Sequence, residues 1–214
     1  MQTDLFTASG DFAGDFAIDA TFASAKRSML DERSWIEVVP GWVSGPETVL
    51  DLLLKDVPWK QHYRRLFDQD FLEPRLTAEY RDIRDVPHAP LVAMASALTA
   101  HYRIKYDSLW LNLYRDGRDS TGWHRDRFSC RRPECVVPVL TLGAARRFLL
   151  KPRAGGPTTA VAPRSGDLIV MGGRCQEDWL HAVPKSTSLQ GTRDARISVN
   201  FQSSLQARAF STRA

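Results

Sequence analysis

Residues Asn112 to Asp126 read NLYRDGRDSTGWHRD. The last three, His124-Arg125-Asp126, set an imidazole and a carboxylate two positions apart. On a strand or its edge, residues i and i+2 point to the same side. Such a pair is two thirds of a facial triad, the two-histidine, one-carboxylate set that holds non-haem Fe(II) and leaves the opposite face open. Taken alone, His-x-Asp is more often a solvated surface pair than a ligand set, so its meaning depends on the rest of the chain.

Leu109 to Tyr114, which runs into this stretch, is the first of six strand-like segments. The others are Val136 to Leu142, Arg147 to Leu150, Asp167 to Met171, His181 to Pro184 and Arg196 to Phe201. Short strands divided by Gly-rich or Pro-rich turns predict a mainly β fold with flanking helices, a double-sheet jelly roll or a barrel. Upstream, Pro46 is favourable at a first helical position, and Val49, Leu52 and Leu53 recur at i, i+3 and i+4. Pro90 opens a second helix, whose stripe of Leu91, Ala95, Leu98 and Tyr102 has to pack on something flat and apolar. Trp35 to Val39 alternates weakly and stops at Pro40-Gly41, which predicts a short strand.

Residues 1–34 are rich in Ala, Ser, Asp, Thr and Gly, show no lasting period and are expected to form a loosely ordered acidic arm. Residues 1–37 carry a net charge of −4 and the remainder +8. A basic body suits a polyanion such as nucleic acid, and equally an ordinary solvated face. Between Val57 and Val86, the aromatics Trp59, Tyr63, Phe67, Phe71 and Tyr80 interleave with basic residues whose charge is balanced by acids. Either these rings stack on unpaired bases, or they pack inward beneath a neutral surface.

A chain of 214 residues with 43% hydrophobic content fits one globular domain. It has no apolar run of about eighteen residues, and its first residues lack the basic and apolar regions of a signal peptide. A cytoplasmic monomer without membrane contact is expected. Cys130, Cys135 and Cys175 form no C-x-x-C pair and are expected to be reduced thiols.

The candidate for the missing ligand is His181, 55 residues after Asp126, because strands distant in sequence converge inside a jelly roll. His62, His88 and His101 compete, but they lie in charged, turn-rich or helical parts without a carboxylate at i+2 in a strand-like run. Three protein ligands leave open positions for a bidentate 2-oxo acid and dioxygen. A second carboxylate on that acid needs a cation, and Arg196 opens a strand fifteen residues after His181.

Six motifs now stand in order: N-x-Y-x-x-G (Asn112, Tyr114, Gly117), D-S-x-x-W-H-x-D (Asp119 to Asp126), L-G-A-x-R-x-F (Leu142 to Phe148), G-D-L-x-V-M-G-G (Gly166 to Gly173), W-x-H-x-V-P-K (Trp179 to Lys185) and R-I-S-V-x-F (Arg196 to Phe201). Jointly they resemble the AlkB family of Fe(II)- and 2-oxoglutarate-dependent dioxygenases, which oxidatively dealkylate nucleic-acid bases. The likeness spans roughly Trp35 to Gln202, and Pro74 to Tyr80 resembles part of that family's nucleotide-recognition lid. It implies a double-stranded β-helix (jelly roll) core over residues 105–214, preceded by helices and the lid over residues 35–104. It further implies iron ligands His124, Asp126 and His181, with Tyr114 and Arg196 on the distal carboxylate of 2-oxoglutarate and Asn112 near its keto-acid end. Tyr80 and Trp123 would lie close to the nucleotide, with core packing as the alternative account of the rings of Tyr114 and Trp123.

Two positions depart from the pattern. Phe128 and Gln202 stand where many members carry an acidic residue and a second arginine, near cofactor and substrate base, which puts base preference in doubt. Losing both together avoids a lone buried charge. Basic clusters at Arg125, Arg127, Arg131 and Arg132, and at Arg146, Arg147, Lys151 and Arg153, would hold phosphates and position the strand, with ordinary solvated loop charge as the alternative for any single Arg. The expected activity is repair of alkylated DNA, by oxidative demethylation of adenine or cytosine ring nitrogens with release of formaldehyde. The alternatives are the same chemistry on RNA such as tRNA, on a protein or on a small molecule, or a jelly-roll binding module without chemistry.

Overall fold

The computed structural model describes residues 16–66, 68–126, 132–187 and 194–207. In chain order the first half holds β1 (Ala17–Ile18), β2 (Lys26–Met29), β3 (Ser34–Val39), β4 (Val43–Ser44), α1 (Pro46–Asp56), β5 (Tyr63–Leu66), β6 (Gln69–Leu72), β7 (Leu76–Tyr80) and α2 (Ala89–Tyr102). The second half holds β8 (Ser108–Tyr114), β9 (Thr121–His124), β10 (Cys135–Gly143), β11 (Phe148–Pro152), β12 (Thr159–Val161), β13 (Leu168–Gly173), α3 (Cys175–Asp178), β14 (Trp179–Val183), β15 (Arg196–Gln202) and α4 (Ser204–Ala207).

Strands β2-β3-β13-β10-β15-β8-β7 form a seven-stranded antiparallel sheet, and β12-β11-β14-β9 form a four-stranded one. The two-residue period of each strand sorts its side chains into two layers. Leu109, Leu111 and Leu113 of β8, Leu140 and Leu142 of β10, and Ile197, Val199 and Phe201 of β15 face α1 and α2. There they meet Val49, Leu53, Leu91, Met94 and Leu98, so the apolar stripe of α2 has its flat partner. The alternate residues face the smaller sheet. Ile36, Val137, Val139, Ile169 and Met171 form this second layer with Phe148, Leu150, Trp179 and Val183. This is the jelly roll, with α1 and α2 backing the larger sheet. Gly172 on β13 pairs with Trp35, whose indole lies across it where any Cβ would collide.

The arm differs from expectation over residues 16–34. Phe22 is buried, stacks on His101 with centroids 3.7 Å apart, lies tilted against Trp42 and meets Tyr102 edge-on, while β2 joins the edge of the larger sheet. Scattered phenylalanines carry no period, yet one ring in a core slot orders its neighbours through contacts distant in sequence. Residues 1–15 lie outside the described part. Cys135 is disulfide-bonded, which corrects the expectation of a reduced thiol there; Cys175 is free and buried. Among the described residues no helix is long and apolar enough to cross a membrane.

Candidate active site

A cavity of about 650 Å³ opens between the sheets. Asn112 and Tyr114 of β8 and Arg196, Ser198, Asn200 and Gln202 of β15 line one wall, and His124 and His181 line the facing wall. These polar residues are the inward halves of strands whose outward halves are leucine, isoleucine, valine and phenylalanine, so period 2 itself carries them into the interior.

His124 and His181 are cross-strand partners on β9 and β14, with ring centroids 4.2 Å apart. Asp126 follows two residues after β9 ends, and its backbone N–H donates to Gln176 Oε1 at 2.8 Å. The Nε2 atoms of His124 and His181 each lie 3.5 Å from one of its carboxylate oxygens. One ligand atom from each of the three falls within 4.8 Å of the others. His124 Nδ1 sits 2.8 Å from the Gly122 carbonyl, and a proton donated there leaves Nε2 as the ligating nitrogen. Phe148 stacks on His181 with centroids 5.3 Å apart.

The register between β9 and β14 is irregular, His181 opposing His124 while Val183 opposes Thr121. Two steps on β14 therefore match three on β9, a bulge. Both Thr121 and His124 reach the cavity because of it, although residues three apart on a regular strand face opposite ways. Thr121 Oγ1 lies 2.8 Å from the Tyr114 hydroxyl and orients it.

The electrostatics suit a cation. Burial alone would raise the Asp126 carboxyl, but His181 and His124 beside it hold it well below the usual carboxylate range. Burial pushes the His181 imidazole below its ordinary value; for His124 burial is outweighed by Asp126 and the Gly122 carbonyl, and its value rises. An ionised carboxylate and imidazoles that can shed a proton to a metal are the ligating forms. Asp126 Oδ2 is buried without a hydrogen-bond partner among the described residues, as a metal-ligand oxygen would be. Iron therefore fits this donor set.

Arg196 is 1% exposed, and burial depresses its pKa. Its Nη2 donates to Thr141 Oγ1 at 3.1 Å, while Nε and Nη1 have no hydrogen-bond partner among the described residues. A dicarboxylate reaching from the metal triad to this guanidinium would satisfy both orphaned nitrogens, so 2-oxoglutarate fits as well. Asn112 Oδ1 accepts from Arg75 Nε at 2.9 Å and Trp110 Nε1 at 3.1 Å, and its Nδ2 donates to Ser198 Oγ at 3.2 Å.

A model described as the 2OG-Fe(II) oxygenase superfamily matches residues 72–202. The chain belongs to that superfamily. The alpha-ketoglutarate-dependent dioxygenase alkB homolog 3 of Mus musculus is 32% identical over 185 residues, covering 76% of this chain and 64% of the relative. The DNA oxidative demethylase ALKBH2 of Arabidopsis thaliana is 29% identical over 185 residues, covering 68% and 59% respectively. This chain thus spans somewhat less than two thirds of either relative. The solved structure of OsALKBH1 superposes with a TM-score of 0.59 at 12% identity, covering 83% of this chain and 100% of that one, a likeness of fold. The AlkB resemblance of the six motifs is borne out, and iron and 2-oxoglutarate are the cofactor and co-substrate of this 2OG-Fe(II) oxygenase.

Several expected contacts lie elsewhere. Tyr80 does not line the cavity: it shares with Leu76 and Ala78 the helix-facing side of β7, packs near His88, and burial raises its pKa. Trp123 is 39% exposed outside the cavity, with Lys151 Nζ 4.3 Å from its ring centre. Arg153 donates to the Glu177 carbonyl at 2.8 Å and borders a separate surface hollow with Asp31 and Trp179. Arg146 is a buried brace rather than a phosphate contact, donating to the carbonyls of Asp116, Asp119 and Pro184. Gln202 does line the cavity, whereas Phe128, Arg127 and Arg131 lie outside the described residues. Sequence reasoning missed Arg75, Thr121, Thr141 and Gln176. Thr141 and Gln176 carry no local signal, and only Thr121 and Arg75 fall inside stretches singled out for other reasons.

Proposed function

We propose that this oxygenase demethylates alkylated DNA, removing methyl groups from ring nitrogens of adenine or cytosine as formaldehyde, with 2-oxoglutarate leaving as succinate and carbon dioxide. The observation that carries this reading is the cavity itself, which joins a metal triad and a dicarboxylate anchor to a rim of exposed aromatic side chains. That rim is the β5–β6 hairpin, where Tyr63 is 73% and Phe71 48% exposed and both face the cavity mouth together with Leu72. Aromatic rings beside a polar pocket are what an unstacked base needs, and we assign the hairpin as the lid over the base. The aromatics between residues 57 and 86 thus divide: Trp59 and Tyr80 pack inward, Tyr63 and Phe71 face solvent. The Arabidopsis relative is a DNA oxidative demethylase by name, which supports the same substrate class.

His124, Asp126 and His181 would hold Fe(II), which with 2-oxoglutarate supplies the oxidising power turned on the methyl group. Arg196, braced by Thr141, orients the distal carboxylate, and the ring of Tyr114, 5.2 Å from the guanidinium, packs along it. Phe148 stacks on the ligand histidine and covers that face of its ring with an apolar side chain. No protein acid or base is needed, because the hydroxymethyl product breaks down on its own. The base has to leave its stack, at a cost of roughly a few kcal/mol, which favours single strands or weakened pairs.

The test is formaldehyde release from methylated DNA and methylated RNA oligonucleotides at equal salt, after anaerobic loading with Fe(II) and 2-oxoglutarate and exposure to oxygen. Release from DNA at the higher rate supports the proposal. Release only from RNA moves the substrate, and succinate formation with no release from either overturns the nucleic-acid reading.

A further inference from the structure

Arg75 is a charged cavity residue that neither the metal triad nor the distal-carboxylate bracket uses. It lies between β6 and β7 and reaches in from the hairpin side, its side chain only 14% exposed. Its Nε donates to Asn112 Oδ1, and a terminal nitrogen lies 3.4 Å from Glu73 Oε2, so the guanidinium is held from two directions. The amide of Asn112 offers two acceptor sites and two donors. Arg75 and Trp110 take both acceptor sites, and Ser198 takes one donor. Asn112 is therefore largely a bracket, and what it suspends in the cavity is a positive charge.

The charge has few other sources. Inward positions along β15 run Arg196, Ser198, Asn200 and Gln202, one cation followed by three neutral side chains. Arg125 also lines the cavity, but its guanidinium turns toward the Glu177 carbonyl and carboxylate, at 3.4 and 3.5 Å. 2-Oxoglutarate carries two negative charges, and Arg196 answers one. The carboxylate beside the keto group is desolvated in the same enclosed space and calls for a charge-assisted donor.

We propose that Arg75, suspended from Asn112, is the second co-substrate-binding arginine, taking the carboxylate next to the keto group while Arg196 takes the distal one. Glu73 keeps the guanidinium plane in place. The inference rests on the co-substrate assignment of the cavity. It gives Asn112 an indirect role, and it makes the hairpin side of the cavity, which faces the nucleic acid, sensitive to whether the co-substrate is bound.

The experiment is an anaerobic titration of 2-oxoglutarate into the Fe(II)-loaded protein, following the absorption band of the iron-bound keto acid, for wild type, Arg75→Gln and Arg75→Lys. Affinity for a methylated oligonucleotide is measured on the same samples, and circular dichroism confirms that each variant is folded. Loss of a charge-assisted pair predicts a dissociation constant raised about tenfold to a hundredfold in Arg75→Gln, with Arg75→Lys in between. An unchanged constant in folded Arg75→Gln overturns the proposal, whether or not oligonucleotide affinity falls. If the wild type itself develops no band, the co-substrate assignment fails first and takes this inference with it.

Discussion

Replacing Arg196 by methionine should make the ligand-free protein more stable and blind to its co-substrate. The guanidinium is almost fully buried, yet among the described residues only Nη2 has a hydrogen-bond partner, the Thr141 hydroxyl. Exchanging a poorly compensated buried charge for an apolar side chain of similar length is worth about 1–4 kcal/mol. The orphaned Thr141 hydroxyl returns about 1 kcal/mol of that. That leaves a net gain of up to about 3 kcal/mol, a Tm increase of up to about 12 °C for a domain of this size. Wild type, in contrast, gains about 2.7 kcal/mol from 2-oxoglutarate at a hundred times its dissociation constant, or about 5–11 °C. The variant should gain nothing. The assay is thermal unfolding by circular dichroism with a redox-inert divalent metal, with and without 2-oxoglutarate. A ligand-free variant that melts below wild type, or one that 2-oxoglutarate stabilises as much as wild type, refutes the view that Arg196 is buried for the ligand's sake.

Other expectations follow from the same geometry. His181→Ala should abolish formaldehyde release and stoichiometric Fe(II) binding, and wild-type turnover would remove His181 from the ligand set. Gln176→Leu removes the acceptor that holds the Asp126 backbone N–H and should weaken metal binding about 10–100-fold while the fold persists; unchanged affinity in a metal competition assay would show that the Asp126 peptide needs no such support. Asp31 accepts from the N–H groups of Arg33 and Ser34 and from Trp179 Nε1, and these bonds outweigh partial burial to hold its carboxyl below 3.8. A depressed value means that its contribution is complete above the unfolded pKa and fades as pH drops through the folded one. Asp31→Ala should therefore lose about 1 kcal/mol at pH 7, after allowance for solvent screening, and progressively less in acid. Urea denaturation at pH 7 and pH 3 checks this, and an equal loss at both would contradict it.

The fold was legible wherever local periodicity coincided with burial. Alternation along Leu109 to Tyr114 and Arg196 to Phe201, and the 3.6-residue stripe of α2, each report an element that is apolar on one face. The three candidate metal ligands were legible because ligation demands particular residue types in a particular order, and the fold brings His124, Asp126 and His181 together. What the sequence hid depends on contacts distant in the chain. Glu177 draws Arg125 and Arg153 to itself across gaps of 52 and 24 residues, so a cluster that reads as free positive charge is partly neutralised in three dimensions. Arg146 reads as surface but is consumed by three carbonyls. Tyr80 was misplaced for a simpler reason: position within a motif does not say which face of a strand a residue occupies, whereas its neighbours Leu76 and Ala78 do.

The bulge in β9 gives that strand a change of phase. Before it, Thr121 steadies the tyrosine beside Arg196; after it, His124 joins the metal ligands, although the two stand an odd number of residues apart. A strand in strict alternation could present one of these side chains inward but not both. The interval between Thr121 and His124 should accordingly tolerate exchange of the residue at 123 far better than a change in its length. Deleting one residue there would restore regular pairing, yet it would turn either the anchor or the ligand out toward solvent.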